Sequence, residues 1–380
     1  MPNLKCPVKV LHVYRTYFPD TQGGGQELIR QICHNTQKHG IESRVFFPSR
    51  NPTPNVLKVD ETSVYRVKLE FEIASCGFCF GGIGEFRRQV EWADVIHYYF
   101  PWPFADVMHF IARPKKPTIS THLSDIVRQQ GVMTLYRPLM NKFLSDISVI
   151  VATSPQYLSS SETLRPYRGK SRVIPIGIDE ESYPEVPDEL MSSLEQTHGS
   201  GFFFFVGVLR YYKCLDVLLK ASADQDFKVI IAGEGPLEDT LKKEAKAIGL
   251  DNVQFVGRIS DEEKIAFIKL SRAIVFPSFI RAESFGITLL EGAMYEKPLV
   301  TADVESGMNY VNIDRVTGLV VEGNSPLALR EALVELDRDP KLAEALGAGA
   351  RERYDELFSG EVMGKNYAAL YQELVTGTLS

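Results

Sequence analysis

Residues Arg281–Val300 read RAESFGITLLEGAMYEKPLV, and the rest of the chain is organised around them. Two carboxylates, Glu283 and Glu291, stand with seven residues between them. The apolar run ITLLEGAM reads as a helix start, with Glu291 two turns into it. At 3.6 residues per turn the step between the glutamates is about 800°, which brings the second carboxylate to within about 80° of the first. Both can then look into one site. Ser284, Phe285 and Gly286 place backbone N–H groups at a helix N-terminus, where an anion such as a phosphate is stabilised. A helix with an acidic start and one stray glutamate accounts for the spacing equally well, since Glu is common in first turns.

Upstream, AIVFPS (273–278) is the strand that delivers this stretch. GFFFFVGVL (201–209) is a fully apolar strand of the kind buried in parallel sheets. It runs into Arg210 and Lys213, on the loop that opens the next helix. Two cations beside free helix N–H groups make a diphosphate site, each charge-assisted bond contributing about 1.5–3 kcal/mol. Residues 228–260 then read as strand, turn, amphipathic helix, strand, with Arg258 and Ile259 at the end.

The first half has the same rhythm. VKVLHVY (8–14) is a strand, and a Gly23–Gly25 turn leads to a helix with Leu28, Ile29 and Ile32 on its apolar face and Gly40 at its end. The loop is not G-x-G-x-x-G, so a dinucleotide fingerprint is absent. It lets backbone approach a ligand closely, or serves as a plain turn. DVIHYYF (94–100) is a strand ending in PWPF. Tyr98, Tyr99, Trp102 and Phe104 cluster at its carboxyl end, where aromatic faces suit sugar rings or fill a core. Strand PTIS leads into THLSDIV, with Asp125 either a partner of His122 or a helix N-cap. Two βαβ series predict an α/β chain of two Rossmann-like domains with parallel sheets. The Pro/Ser-rich segment 184–200 reads as linker plus helix, which sets domains at 1–183 and 184–359 and leaves a helical tail.

Composition excludes several classes. The 380 residues are 44% hydrophobic and 24% charged, as in ordinary globular proteins. No apolar run reaches membrane-spanning length, and MPNLKCPVKVLHVY lacks the pattern of a signal peptide, so a cytoplasmic protein is expected. Five cysteines without framework spacing point to reduced thiols, and Cys76-Gly-Phe-Cys79 alone does not make a metal site. Charge is uneven. Residues 1–180 hold 22 Lys+Arg against 16 Asp+Glu, and the remainder 20 against 33. A basic half on an acidic protein hints at an anionic partner for that half. Arg137 and Lys142 on an apolar helix, with Arg113, Lys115, Lys116 and the RPYRGKSR loop, suit an anionic bilayer or an ordinary solvated surface.

The stretch Glu283 to Glu291 resembles the E-x7-E motif of retaining nucleotide-sugar glycosyltransferases (group 1, GT-B fold). Gly207-Val208-Leu209-Arg210-Tyr211-Tyr212-Lys213-Cys214 resembles the family's G-R-L-x-x-x-K-G signature, with Val208 and Cys214 as departures and Arg210 standing in for the missing arginine. KPLVTADV and TGLVVEG are further landmarks, and VLHVYRTYFPD, DVIHYYFPWPF, SDIV and SPQYL look most like bacterial O-antigen mannosyltransferases. The resemblance implies two domains facing across a cleft, with a last helix (about 360–380) crossing back to the first. It assigns Glu283 to the donor sugar, Glu291 to the ribose, the Phe285–Gly286 amides, Arg210 and Lys213 to sugar and diphosphate, and Arg258–Ile259 to the base. It places Gly24 and Gly25 near the phosphate and His122 at the donor sugar, with Leu123 in the usual histidine slot as a departure. The implied reaction is retaining transfer of mannose from GDP-mannose, without metal or other cofactor, to an undecaprenyl-diphosphate-linked glycan at the inner membrane face. A UDP-sugar or GDP-rhamnose donor, or an inactive nucleotide-sugar-binding homologue, remains the alternative.

Overall fold

Strands of a parallel sheet covered on both sides must be apolar on both faces, and runs of that kind build both halves of this chain. The computed structural model describes residues 6–73, 76–125, 130–280, 285–304 and 307–378, with backbone alone at 130–133. The chain divides into two units: Met1–Gly177 with Gly360–Ser380, and Ile178–Ser359.

Unit 1 runs β1 (Val8–Val13), α1 (Gly24–Gln37), β2 (Ile41–Ser49), β3 (Val56–Val59), β4 (Thr62–Lys68), β5 (Phe71–Ile73) and β6 (Cys76–Phe78). It continues α2 (Ile83–Trp92), β7 (Val95–Phe100), α3 (Pro103–Ala112), β8 (Thr118–His122), α4 (Gln130–Asp146), β9 (Val149–Ala152), α5 (Pro155–Ser160) and β10 (Ser171–Val173). Among the described residues its main sheet has the order β10-β9-β8-β7-β1-β2-β4-β3, parallel except for β3 against β4. β5 and β6 form a separate antiparallel hairpin. All six residues of β7 are buried.

The Gly23–Gly25 turn is partly helical. α1 begins at Gly24, so Gly24 and Gly25 form its first turn. A Cβ on Gly25 would lie 2.6 Å from the Tyr14 hydroxyl, so any larger residue there displaces the tyrosine ring. α1 buries Leu28, Ile29 and Ile32, and also Gln31, Asn35 and Thr36. The reason is the C-terminal helix, Gly360–Thr376, which lies against it: a Cβ on Gly364 would meet Asn35 at 2.6 Å. For the aromatic cluster the core reading holds over the sugar-facing one. Tyr98, Tyr99, Trp102 and Phe104 are each at most 1% exposed and serve as core.

Unit 2 runs α6 (Asp188–His198), β11 (Phe203–Val206), α7 (Leu215–Ala221), β12 (Val229–Ala232), α8 (Glu238–Ile248), β13 (Val253–Gly257) and α9 (Asp261–Leu270). Then come β14 (Ala273–Phe276), α10 (Ile287–Met294), β15 (Leu299–Ala302), α11 (Met308–Val311), β16 (Gly318–Val321), α12 (Pro326–Arg338) and α13 (Pro340–Arg353). The segment 184–200 therefore falls within this unit. Its strands form one parallel sheet, β13-β12-β11-β14-β15-β16. In each unit the chain leaves its first strand on one side and returns on the other. That creates a switch point between β1 and β7 in unit 1, and between β11 and β14 in unit 2. Ligands of such sheets bind outside the carboxyl ends of the strands at these points.

Candidate active site

Unit 2 brings two groups of expected residues to the carboxyl edge of its sheet. The loop after β11 closes in a 3-10 turn, Tyr211–Lys213. The Lys213 Nζ lies 4.3 Å from the centre of the Phe276 ring, the last residue of β14. Lys213 thus occupies the β11–β14 switch point and is itself buried. The hydroxyl of Ser278 donates to the Tyr212 carbonyl and ties the two loops together. Cys214 stands where the resembled signature has glycine, and its φ of 52° shows why glycine fits there. Arg210, which precedes the 3-10 turn as its N-cap, is exposed. It lines a cavity of about 190 Å³ with Tyr211, Leu237, Thr240 and Glu244.

The E-x7-E geometry needs correction. α10 begins only at Ile287, after Gly286 at φ 83° in the left-handed region. Helical arithmetic therefore does not span the two glutamates, and Glu291 sits at the fifth position of α10 rather than two turns in. Residues 281–284, Glu283 among them, lie outside the described residues. Among the described residues no side chain caps α10. Phe285 is buried and packs edge-on against Phe358 at 5.9 Å, so only its backbone can serve a ligand.

Glu291 is buried and already bonded. Its Oε1 accepts from the Tyr183 hydroxyl at 3.0 Å and meets the Lys264 Nζ at 2.8 Å. Lys264 also pairs with Asp261 at 3.0 Å. Burial works against the Lys264 charge, but Glu291 and Asp261 outweigh it and hold the ammonium above the usual lysine range. Sequence reasoning missed Lys264 and Tyr183. The legible signal was local: Ser260 and Glu263 form a capping box that starts α9, so Lys264 falls in its first turn, just past Arg258 and Ile259. Arg258 is exposed and Ile259 half-buried at the end of β13.

In unit 1 the carboxyl edge carries Gly24, Gly25 and His122. His122 ends β8 and stacks on Phe100, ring centres 4.1 Å apart. It is fully buried, and neither ring nitrogen has a hydrogen-bond partner among the described residues. Burial lowers its pKa to about 3, so the ring is neutral near pH 7. Asp125 is not its partner: it accepts from Ser161 at 2.8 Å. An unpaired neutral imidazole can donate one hydrogen bond and accept another, which suits sugar hydroxyls.

Two D-x-D triplets occur: Asp224-Gln225-Asp226 lies in the turn before β12, at the opposite edge of the unit 2 sheet from Lys213, and in Asp337-Arg338-Asp339 the first carboxylate faces Arg272 at 3.5 Å while the last caps α13. Among the described residues no group of three or more His, Cys, Asp or Glu could hold a metal ion.

Two family models match in succession: "Glycosyltransferase Family 4" over residues 22–182 and "Glycosyl transferases group 1" over 188–353. A D-rhamnosyltransferase, WbpZ of Pseudomonas aeruginosa, is 44% identical over 93% of this chain and 92% of its own. O-antigen chain mannosyltransferase C of Escherichia coli is 40% identical over 97% and 99%. Among solved structures, sucrose-phosphate synthase from Thermosynechococcus elongatus superposes with a TM-score of 0.77 over 97% of this chain and 100% of its own, at 20% identity. HepE of Anabaena, in complex with UDP and glucose, gives 0.78 over 96% and 100%, at 17% identity. These last two establish the GT-B fold alone.

Proposed function

We propose that this chain, which belongs to the glycosyl transferases group 1 family, transfers mannose from GDP-mannose, with retention, to a lipid-linked glycan in O-antigen synthesis. The observation that carries the reading is the likeness, over nearly the whole length, to an O-antigen mannosyltransferase and a D-rhamnosyltransferase. D-Rhamnose is mannose without its 6-hydroxyl, so GDP-D-rhamnose is the second donor to try.

In this reading unit 2 takes the nucleotide and unit 1 the acceptor. The departing diphosphate gains negative charge in the transition state. Lys213, with Arg210 and the backbone N–H groups at the start of α10, meets that charge where it develops. Glu291, oriented by Lys264 and Tyr183, receives the ribose, and Arg258–Ile259 the base. Glu283 positions hydroxyls of the donor sugar, and neutral His122 hydrogen-bonds one more. The acceptor hydroxyl attacks on the face the diphosphate leaves, and a departing phosphate oxygen takes its proton. No metal is required, so EDTA leaves turnover unchanged. Membrane contact falls to the surface around Leu135 and Arg137 of α4, where an 86% exposed leucine stands beside an exposed arginine. No helix among the described residues is long and apolar enough to cross a membrane.

The test is thermal-shift binding of GDP, UDP, GDP-mannose, GDP-D-rhamnose and UDP-glucose without added metal. Selective stabilisation by GDP and GDP-mannose supports the donor assignment. A UDP preference overturns it, and no shift with any of them points to an inactive homologue.

A further inference from the structure

The buried aromatic cluster of unit 1 continues outward to the surface. Trp102 and Phe104 are buried, and the Trp102 Nε1 donates to the Gly77 carbonyl at 3.0 Å, anchoring the β5–β6 hairpin. Phe104 packs against Phe78 at 5.3 Å and Phe80 at 4.9 Å. Phe78 in turn stacks on Phe71, 4.7 Å and 19° apart. The chain of rings ends in solvent, with Phe71 46%, Ile73 63% and Phe80 50% exposed. Exposed apolar side chains grouped in this way mark a recognition surface.

Position and charge select the occupant. The hairpin leaves the carboxyl end of β4, and Trp102 follows the carboxyl end of β7. The shelf therefore stands at the same sheet edge as Gly24, Gly25 and His122. Its charges are spent locally. Arg50 pairs with Glu72 at 2.8 Å, and Glu70 accepts from the Phe80 and Gly81 N–H groups at 2.6 and 2.9 Å. With no basic excess the shelf does not attract an anionic bilayer, unlike the surface around Arg137. A neutral sugar ring fits it. The C–H groups of a pyranose carry slight positive charge and meet the negative face of an aromatic ring, while paired carboxylate and guanidinium groups at the rim suit hydroxyls.

We propose that Phe71 on the hairpin of unit 1 and Phe80 in the 3-10 turn after it form an aromatic platform for a neutral sugar ring of the acceptor glycan, away from the reacting hydroxyl. This rests on the glycan-acceptor reading above. The probes are an α-mannotriose with a short octyl aglycone in solution, and the same trisaccharide on undecaprenyl diphosphate in vesicles. Replacing both rings (Phe71→Ala with Phe80→Ala) raises KM about tenfold for both probes, the order expected for lost aromatic contacts, and leaves the KM for the donor in place. Phe80→Trp keeps the platform, and its emission shifts when the soluble trisaccharide is added. Unchanged KM for the soluble probe, with wild-type protein active, overturns the platform alone. A KM that rises only for the vesicle-borne probe assigns the shelf to lipid and also overturns it. Wild-type protein that transfers to neither probe overturns the acceptor reading, and a Phe80→Trp emission that then ignores the trisaccharide overturns the platform with it.

Discussion

The two units share a parallel-sheet architecture but treat polar groups in opposite ways. In unit 2 the central strands are uniformly apolar: Phe203–Phe205, Val229–Ala232 and Ala273–Phe276 are all buried. Its charges stay on loops and helices, as Lys213 and the Lys264–Glu291 pair. In unit 1 the central strands themselves carry His12, His97 and Thr121, all fully buried. They form a hydrogen-bonded chain. Ser43 meets His12 at 3.3 Å, His12 meets Tyr99 at 2.8 Å, and Tyr99 meets His97 at 3.3 Å. His97 then reaches Tyr371 at 2.8 Å and Thr121 at 2.7 Å, and Thr121 reaches Tyr367 at 3.0 Å. The two tyrosines belong to the C-terminal helix, so this chain docks the end of the sequence onto its beginning. A buried neutral network is stable only when fully satisfied and uncharged. A buried ion pair needs both partners charged. The units should therefore fail under different insults.

Acid makes the largest difference. Burial lowers the pKa of His12 and His122 to about 3, and that of His97 well below its usual value. His109 is also lowered by burial, against Asp146, while burial raises Asp106, against its bond from Tyr136. His12, His97 and His122 thus stay neutral in the folded state where the unfolded chain protonates them, from about pH 6.5 downward, while Asp106 works in the opposite sense. This stability is present above pH 6.5 and is lost as pH falls toward 3. Unit 1 should lose about 4 kcal/mol between pH 7 and 5.5, read by hydrogen exchange as earlier opening of β1, β7 and β8 than of β11, β12 and β14. Equal opening of both units would break the contrast.

Lys213→Ala acts on the other side of the comparison. Turnover should fall at least about 100-fold, the scale of one lost transition-state donor, with the melting temperature unchanged within error. Wild-type-like turnover would sink its assignment. Thr121→Val tests the network without touching unit 2. It removes a bond from both His97 and Tyr367 and should cost about 2 kcal/mol, read by chemical denaturation, with protection lost first in the C-terminal helix. Cys214→Gly is the smallest effect. Relief of the left-handed backbone should stabilise unit 2 by up to about 1 kcal/mol, and a lower melting temperature would show that the buried thiol matters more.

How much of this was legible follows from range. The alternation of strand and helix, the buried runs in β7 and β11, and the loops carrying Lys213 and Arg210 are written in neighbouring residues. The angular argument for Glu283 and Glu291 failed locally, because Gly286 in the left-handed region delays the helix. The aromatics at 98–104 were legible as a cluster that either fills a core or faces a sugar, and the choice waited on the fold, since a strand's sequence does not say which helices cover its ends.

The sequence by itself determined the class of fold, two βαβ series, and the residue types at the carboxyl edges, because side-chain periodicity reports burial within one element. Only the tertiary structure decided what each polar group meets. Tyr183 and Lys264 join Glu291 from 108 and 27 residues away, and Tyr371 joins His97 across 274. Hydrogen bonds and ion pairs depend on three-dimensional distance, and pattern along one strand or helix carries no record of which distant group completes them.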